Sequence, residues 1–183
     1  MKLIHTPQVL FAGASLKGDK IEHQKRTLKD LEGLFDDQGA YQRADKATEV
    51  YTVESYLPVG QGTEGGLFFG ITHIQPGRVG NEYFMTKGHG HQIQNRAEFY
   101  WCIEGEGMLI LMDEMRNTWA EQMTPGSLHY IQGNTAHRVA NTGEQVLSFG
   151  ACWPSDAGYN YELIAEKGFS KRLMRVEGKA VLV

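Results

Sequence analysis

From Thr48 the chain alternates with a period of two: Glu49, Tyr51 and Val53 fall on one side of an extended segment, and Val50, Thr52 and Glu54 on the other. That pattern predicts a strand ending at Pro58 and the Gly60-Gln61-Gly62 turn. A second strand is predicted over Leu67–Ile74, closed by Pro76-Gly77. Further short strands follow over Phe99–Ile103, Met108–Met112, Trp119–Gln122, Ser127–Ile131, Arg138–Asn141 and Val146–Cys152, with no helix among them. Short strands at roughly ten-residue spacing, divided by glycine-containing turns, argue for an all-β antiparallel sandwich or barrel.

The stretch before Thr48 reads differently. Leu28, Leu31 and Phe35 recur at helical spacing within Arg26–Phe35, with charges between them, which predicts one amphipathic helix. Asp36-Asp37-Gln38-Gly39 breaks it, and residues 38–46 suit a second short helical segment. Val9-Leu10-Phe11-Ala12 is an apolar run expected to pack on the barrel or on a second subunit. With 183 residues, the chain suits a single domain spanning 1–183. Its barrel core is expected at 48–152, between an N-terminal extension (1–47) and a C-terminal segment (153–183).

Charge narrows the function. A net charge of −4 and a pI near 6.0 give no basic surface for nucleic acid, which is bound through clustered Lys and Arg. Met1–Pro7 lacks an apolar run of signal-peptide length, and no stretch approaches a membrane span, so a cytoplasmic protein is expected. Cys102 and Cys152 lie in apolar segments without Cys-x-x-Cys spacing and are read as free thiols.

Candidate chemistry is concentrated in Thr86-Lys87-Gly88-His89-Gly90-His91. In an extended segment His89 and His91 project to one side, and Glu98, six intervening residues later, adds a carboxylate. A lone His-x-His is more often a hydrogen-bonded structural pair than a metal site. The pattern gains weight from His-x-His…Glu98…Gly105, which resembles the first cupin motif, and from Gly126–Asn141, which resembles the second and contributes His137. The resemblance implies a double-stranded β-helix (jelly-roll) barrel and a three-His, one-carboxylate metal site made of His89, His91, Glu98 and His137. His129, eight residues before His137, is a weaker candidate.

Two further runs refine the family. Thr-Lys-Gly-His-x-His together with Asp156-Ala157-Gly158 and Ala165-Glu166-Lys167-Gly168-Phe169-Ser170-Lys171 resembles the cupin-type glucose-6-phosphate isomerases of archaea and some bacteria. The resemblance implies interconversion of glucose 6-phosphate and fructose 6-phosphate, a sugar-phosphate partner, a homodimer, and one divalent metal, Fe²⁺ first with Mn²⁺, Zn²⁺ or Ni²⁺ as alternatives. It also implies phosphate contacts at Thr72, Thr86 and Gly88, to which Lys87 adds a positive charge. Without it, Thr72 would read as ordinary strand filler.

Tyr100, two residues beyond Glu98 on a predicted strand, is expected to line the sugar pocket; its ordinary role would be a core aromatic. Tyr161 is retained from the family tail, whereas Trp153 and Tyr159 stand where that tail has Tyr and His. Tyr, whose phenol ordinarily titrates near pH 10, is a poorer proton shuttle at neutral pH than His. Glu98 is the candidate base, through either proton or hydride transfer. An iron-dependent oxygenase and a non-catalytic sugar-phosphate-binding cupin share the same ligand types and are the alternatives.

Overall fold

A computed structural model describes residues 4–165 and 167–183. Met1–Leu3 of the N-terminal stretch and Glu166 of the tail motif lie outside the described residues. In chain order the strands are β1 (Val9–Ala12), β2 (Ser15–Gly18), β3 (Ile21–Thr27), β4 (Glu49–Tyr56), β5 (Leu67–Ile74), β6 (Arg78–Val79), β7 (Glu82–Tyr83) and β8 (Glu98–Glu104). There follow β9 (Gly107–Met112), β10 (Thr118–Met123), β11 (Leu128–Ile131), β12 (Ala136–Asn141), β13 (Leu147–Pro154), β14 (Leu173–Val176) and β15 (Lys179–Leu182). Helix is limited to a 3-10 turn at Leu28–Leu31, α1 (Gln38–Arg43) and α2 (Glu162–Ala165).

The strands form an all-β, jelly-roll-like arrangement. One layer is a six-stranded sheet in the order β11-β8-β13-β5-β4-β3, and the other contains β10-β9-β12. Bridges Met85–Ala140 and His89–His137 attach the chain after β7 to the open edge of β12. Between the layers lie Val50, Ile74, Leu109, Leu111, Val139, Leu147 and Phe149, each at most 2 % exposed. Removing such apolar surface from water is the main favourable contribution to folding.

Register decides which side chains face the cavity. Gln24, Val53, Thr72 and Phe149 are paired across β3, β4, β5 and β13, and Ser55, Gly70, Ala151 and Tyr100 form the next rung on the same face. The opposite face carries Tyr130 beside Phe99 and Leu128 beside Trp101. A shift of one residue in any strand would exchange the two sets.

The predicted helix over Arg26–Phe35 is not formed. β3 runs to Thr27 and only one 3-10 turn follows. Leu28 and Lys29 give their N–H groups to Thr48 and Lys46 carbonyls, and Asp30 accepts from both the Thr27 N–H and hydroxyl. Glu32 then leaves in an extended conformation. Leu28, Leu31 and Phe35 are nevertheless all buried, so the apolar spacing reported burial correctly and geometry wrongly. β3 itself escaped the periodicity because it is an edge strand whose middle residues face solvent, where alternation carries no burial constraint.

The predicted short helix at 38–46 occurs as α1. The run at Val9 forms a hairpin with β2, anchored where Ser15 Oγ and Leu16 N–H donate to the Glu54 carboxylate. Leu10 and Phe11 remain exposed. Both thiols are free, Cys102 buried and Cys152 only half-buried. Among the described residues, no helix is long and apolar enough to cross a membrane.

Candidate metal centre and sugar-phosphate cavity

Four ligand-type side chains from three parts of the chain converge. Glu98 opens β8, His137 is the second residue of β12, and His89 and His91 sit in the irregular segment bridged to β12. Their potential ligand atoms all lie within 4.8 Å of one another. His89 and His137 donate N–H to each other's carbonyl, at 3.1 and 2.9 Å, which fixes their imidazoles 4.4 Å apart. The irregular backbone does not spoil the same-side expectation for His89 and His91, whose rings are 5.8 Å apart.

The outer nitrogens define the inner ones. His91 Nδ1 lies 2.7 Å from the Arg96 carbonyl and His137 Nδ1 3.3 Å from that of Thr135. Carbonyls only accept, so these contacts place the protons on Nδ1 and leave the Nε2 lone pairs facing Glu98. Glu98 Oε1 is 2.7 Å from His137 Nε2 and 3.1 Å from His91 Nε2, yet Glu98 Oε1 and His137 Nε2 are buried without a hydrogen-bond partner. Two lone-pair acceptors turned toward each other in a buried site are costly. A divalent cation accepting both satisfies them, and three imidazoles with one carboxylate suit such an ion.

Protonation agrees. Burial, then the neighbouring His137, pulls His89 down to about 3, keeping it neutral. Burial alone would raise Glu98, but His137, His91 and His89 outweigh it and hold the carboxyl well below its usual range. Burial, and then Glu98, pushes the Tyr100 phenol far above its normal value.

The tail braces the ligand segment. Gly90 and Asn160 exchange backbone hydrogen bonds at 2.8 Å, and Ile93 donates to Ala157. Arg96 binds Asp156 through two contacts, 3.0 and 2.7 Å. The Asp-Ala-Gly run thus supports the centre from outside the cavity.

A cavity of about 500 Å³ opens beside the cluster. It is lined by His89, Glu98 and His137, by Thr72, Thr86, Lys87, Gly88 and Tyr100, and by Tyr159 and Tyr161; His91 lies behind its wall. The Tyr159 ring centre is 4.9 Å from that of His89, and Lys87 Nζ lies 4.6 Å from the Tyr161 ring centre. The sequence pattern did not single out Arg26, Gln24, Tyr51 and Ser55, which also line it. Burial raises the Tyr51 phenol, opposed by the Lys87 backbone amide and Arg26. The alternation in β4 carries the inward parity of Tyr51, whereas Arg26 lies on β3, an edge strand without such a pattern. His129 is not part of the group: its nitrogens contact Glu121 and Ser127 at 2.7 and 2.9 Å.

The glucose-6-phosphate isomerase family model matches residues 25–182. The chain belongs to the glucose-6-phosphate isomerase family. A glucose-6-phosphate isomerase of Thermococcus litoralis is 40% identical over 157 residues, covering 86% of this chain and 83% of that protein. Those of Thermococcus kodakarensis and Pyrococcus furiosus are 41% and 37% identical, each over 86% of this chain and over 83% and 84% of their own. Among solved structures, an oxalate decarboxylase of Bacillus subtilis is 18% identical, with a TM-score of 0.48 over 60% of this chain and 26% of its own. Family membership joins the glucose-6-phosphate isomerase likeness of the tail to a cavity having a His₃Glu cluster at one side and hydroxyl, amide and cationic groups on its walls.

Proposed function

We propose that this chain is a metal-dependent glucose-6-phosphate isomerase that interconverts glucose 6-phosphate and fructose 6-phosphate. The observation that carries the reading is the union, in one cavity, of the His89, Glu98 and His137 cluster with Thr72, Thr86, Lys87 and Gly88. His89, His91, Glu98 and His137 would hold one divalent ion. When bound, that ion supplies Lewis-acid polarisation of the sugar's carbonyl and hydroxyl oxygens.

The phosphate is assigned to the wall at Thr86–Gly88. Thr86 Oγ1 accepts from the Val139 N–H at 3.1 Å, which leaves its O–H free to donate. Lys87 adds charge and Thr72 a second hydroxyl. Tyr100, on the same strand face as Glu98, orients the carboxylate and borders the sugar. Glu98 is the candidate base for moving a proton between C1 and C2; its low pKa makes it ionised but weakly basic, which favours either loosening on substrate binding or hydride transfer between the two carbons. Tyr159 and Tyr161 cover the cavity at the His89 side and position the ring.

Fe²⁺ is the proposed ion, with Mn²⁺, Zn²⁺ and Ni²⁺ compatible with the same donors. A cytoplasmic homodimer is proposed with it. Phe99, Leu128, Tyr130 and Leu67, each at least 44 % exposed on the outer side of the large sheet, supply an apolar surface for such an interface.

Incubating the protein, loaded separately with each ion, with fructose 6-phosphate should yield glucose 6-phosphate. Absence of turnover with all four ions ends the reading. Oxygen uptake in its place would substitute an oxygenase, and saturable phosphosugar binding without conversion a non-catalytic binding protein.

A further inference from the structure

Behind the phosphate-side wall lies a cation that does not reach the cavity. Arg138 follows His137 on β12 and is only 6 % exposed. Its guanidinium packs 4.3 Å from the Phe169 ring centre, with Nη1 3.2 Å from Met85 Sδ, and Nη2 donates to the Lys87 carbonyl at 3.0 Å. The cavity is lined by Lys87 and Gly88 but not by Arg138.

The backbone here is a bulge. Between the bridges Met85–Ala140 and His89–His137, three residues, 86 to 88, oppose two, 138 and 139. The extra residue is taken up at Gly88, whose φ of +78° is open to glycine and rarely to others, and where a Cβ would come within 3.0 Å of Arg138 Nε. In a trans peptide the C=O and the following N–H point in opposite directions. The Lys87 carbonyl is held by Arg138 from behind, so the Gly88 N–H of the same peptide unit is directed the other way, toward the cavity. Among the described residues, that N–H has no acceptor within the chain.

We propose that Arg138 is the positioning residue of the phosphate end: by gripping the Lys87 carbonyl it aims the Gly88 N–H at the substrate's phosphate. This rests on the phosphosugar reading of the cavity. The guanidinium acts through the peptide, fixing its orientation and polarising it, so that an anion meets a preorganised donor. Thr86 O–H and Gly88 N–H then form a pair of neutral donors, one set by Val139 and the other by Arg138.

The test uses the metal-loaded enzyme with Arg138→Gln and Arg138→Lys. Two competitive inhibitors serve as probes, a five-carbon sugar acid phosphate and its dephosphorylated counterpart. Losing a charge-assisted contact should raise KM for fructose 6-phosphate and Ki for the phosphorylated probe about ten-fold in Arg138→Gln. kcat, metal content and Ki for the unphosphorylated probe should stay within about two-fold, and Arg138→Lys should recover part of the loss. Equal weakening of both probes, or lost metal with unchanged KM, overturns the proposal.

If Arg138→Gln does not fold, the Gly88 amide resonance of zinc-loaded wild type and Arg138→Lys is followed while inorganic phosphate is added. A downfield shift in the wild type that is smaller in Arg138→Lys supports the role; identical shifts overturn it. A wild-type enzyme that does not discriminate between the two inhibitors refutes the phosphosugar reading itself, whereas discrimination that survives Arg138→Gln refutes only the role of Arg138.

Discussion

His91 Nδ1 lies 2.7 Å from the carbonyl oxygen of Arg96, and this contact fixes which nitrogen of the ring faces the ligand cluster. Arg96 is in turn held by Asp156 through two guanidinium–carboxylate hydrogen bonds. A tail residue outside the cavity therefore sets the direction of a candidate ligand.

Asp156→Asn should weaken metal binding about ten-fold while leaving kcat nearly unchanged at saturating metal, since outer partners of ligating histidines tune affinity more than chemistry. A metal titration of variant and wild type checks it. Unaltered affinity would show that the Arg96 carbonyl holds its place without Asp156.

Glu98→Gln keeps the shape of the side chain but removes its charge and basicity. Turnover should fall by about 10²–10⁴, the range for loss of a positioned acid–base group, even after metal content is restored. His137→Ala should instead abolish metal retention. Elemental analysis beside the phosphosugar assay separates the two effects.

Burial tends to lower the pKa of His91, but its bond to Glu98 outweighs this and raises it above 6.5. Metal must displace that proton, so affinity should rise with pH until His91 is neutral and fall as pH drops through its folded pKa. Stability of the metal-free protein should follow the opposite sign. A raised folded pKa contributes stability that is fully present below the unfolded value, near 6.5, and lost as pH rises through the folded value. Calorimetric metal titrations and thermal melts of the metal-free protein should show opposing slopes, of at most about one proton, as pH rises above the unfolded value near 6.5. His89, at about 3, is already neutral for metal binding in this range; in the metal-free protein it contributes the reverse trend, stability that is lost as pH falls through the unfolded value near 6.5.

Gly150 lies on β13 beneath the Trp101 indole, where a Cβ would come within 2.1 Å of the ring. Gly150→Ala should destabilise the fold by about 1–3 kcal/mol, the usual cost of forcing a methyl into a packed site. The metal cluster should persist in the folded fraction. Chemical denaturation measures the first effect and metal content the second.

The sequence exposed β4, β5 and the strands from Phe99 to Cys152 because these elements have one face on the core, and burial imposes a period of two on them. It concealed β3, an edge strand with a solvated middle, and the β14–β15 hairpin, which pairs through only one residue with β7. Leu28, Leu31 and Phe35 show the limit of periodicity: it reports which residues are buried, while the hydrogen bonds from Leu28 and Lys29 to a distant segment decide that no helix forms. The candidate ligands were legible because imidazoles and carboxylates at motif spacing are few. Their supports were not: Asp156 stands in a recognisable motif, but the roles of Arg96, Thr135 and Asp156 rest on carbonyl direction and ion pairing, which leave no spacing signature.

By itself the amino-acid order determined the residue types available for chemistry, the alternation that makes two β layers and the resemblance that names a family. Tertiary structure alone decided that Arg26 and Tyr51 share the cavity and that Arg138 stands behind it. The reason is physical: side-chain identity is a local property, but which carbonyl an arginine reaches depends on the register of strands far apart in the chain, and register is fixed only when both layers close.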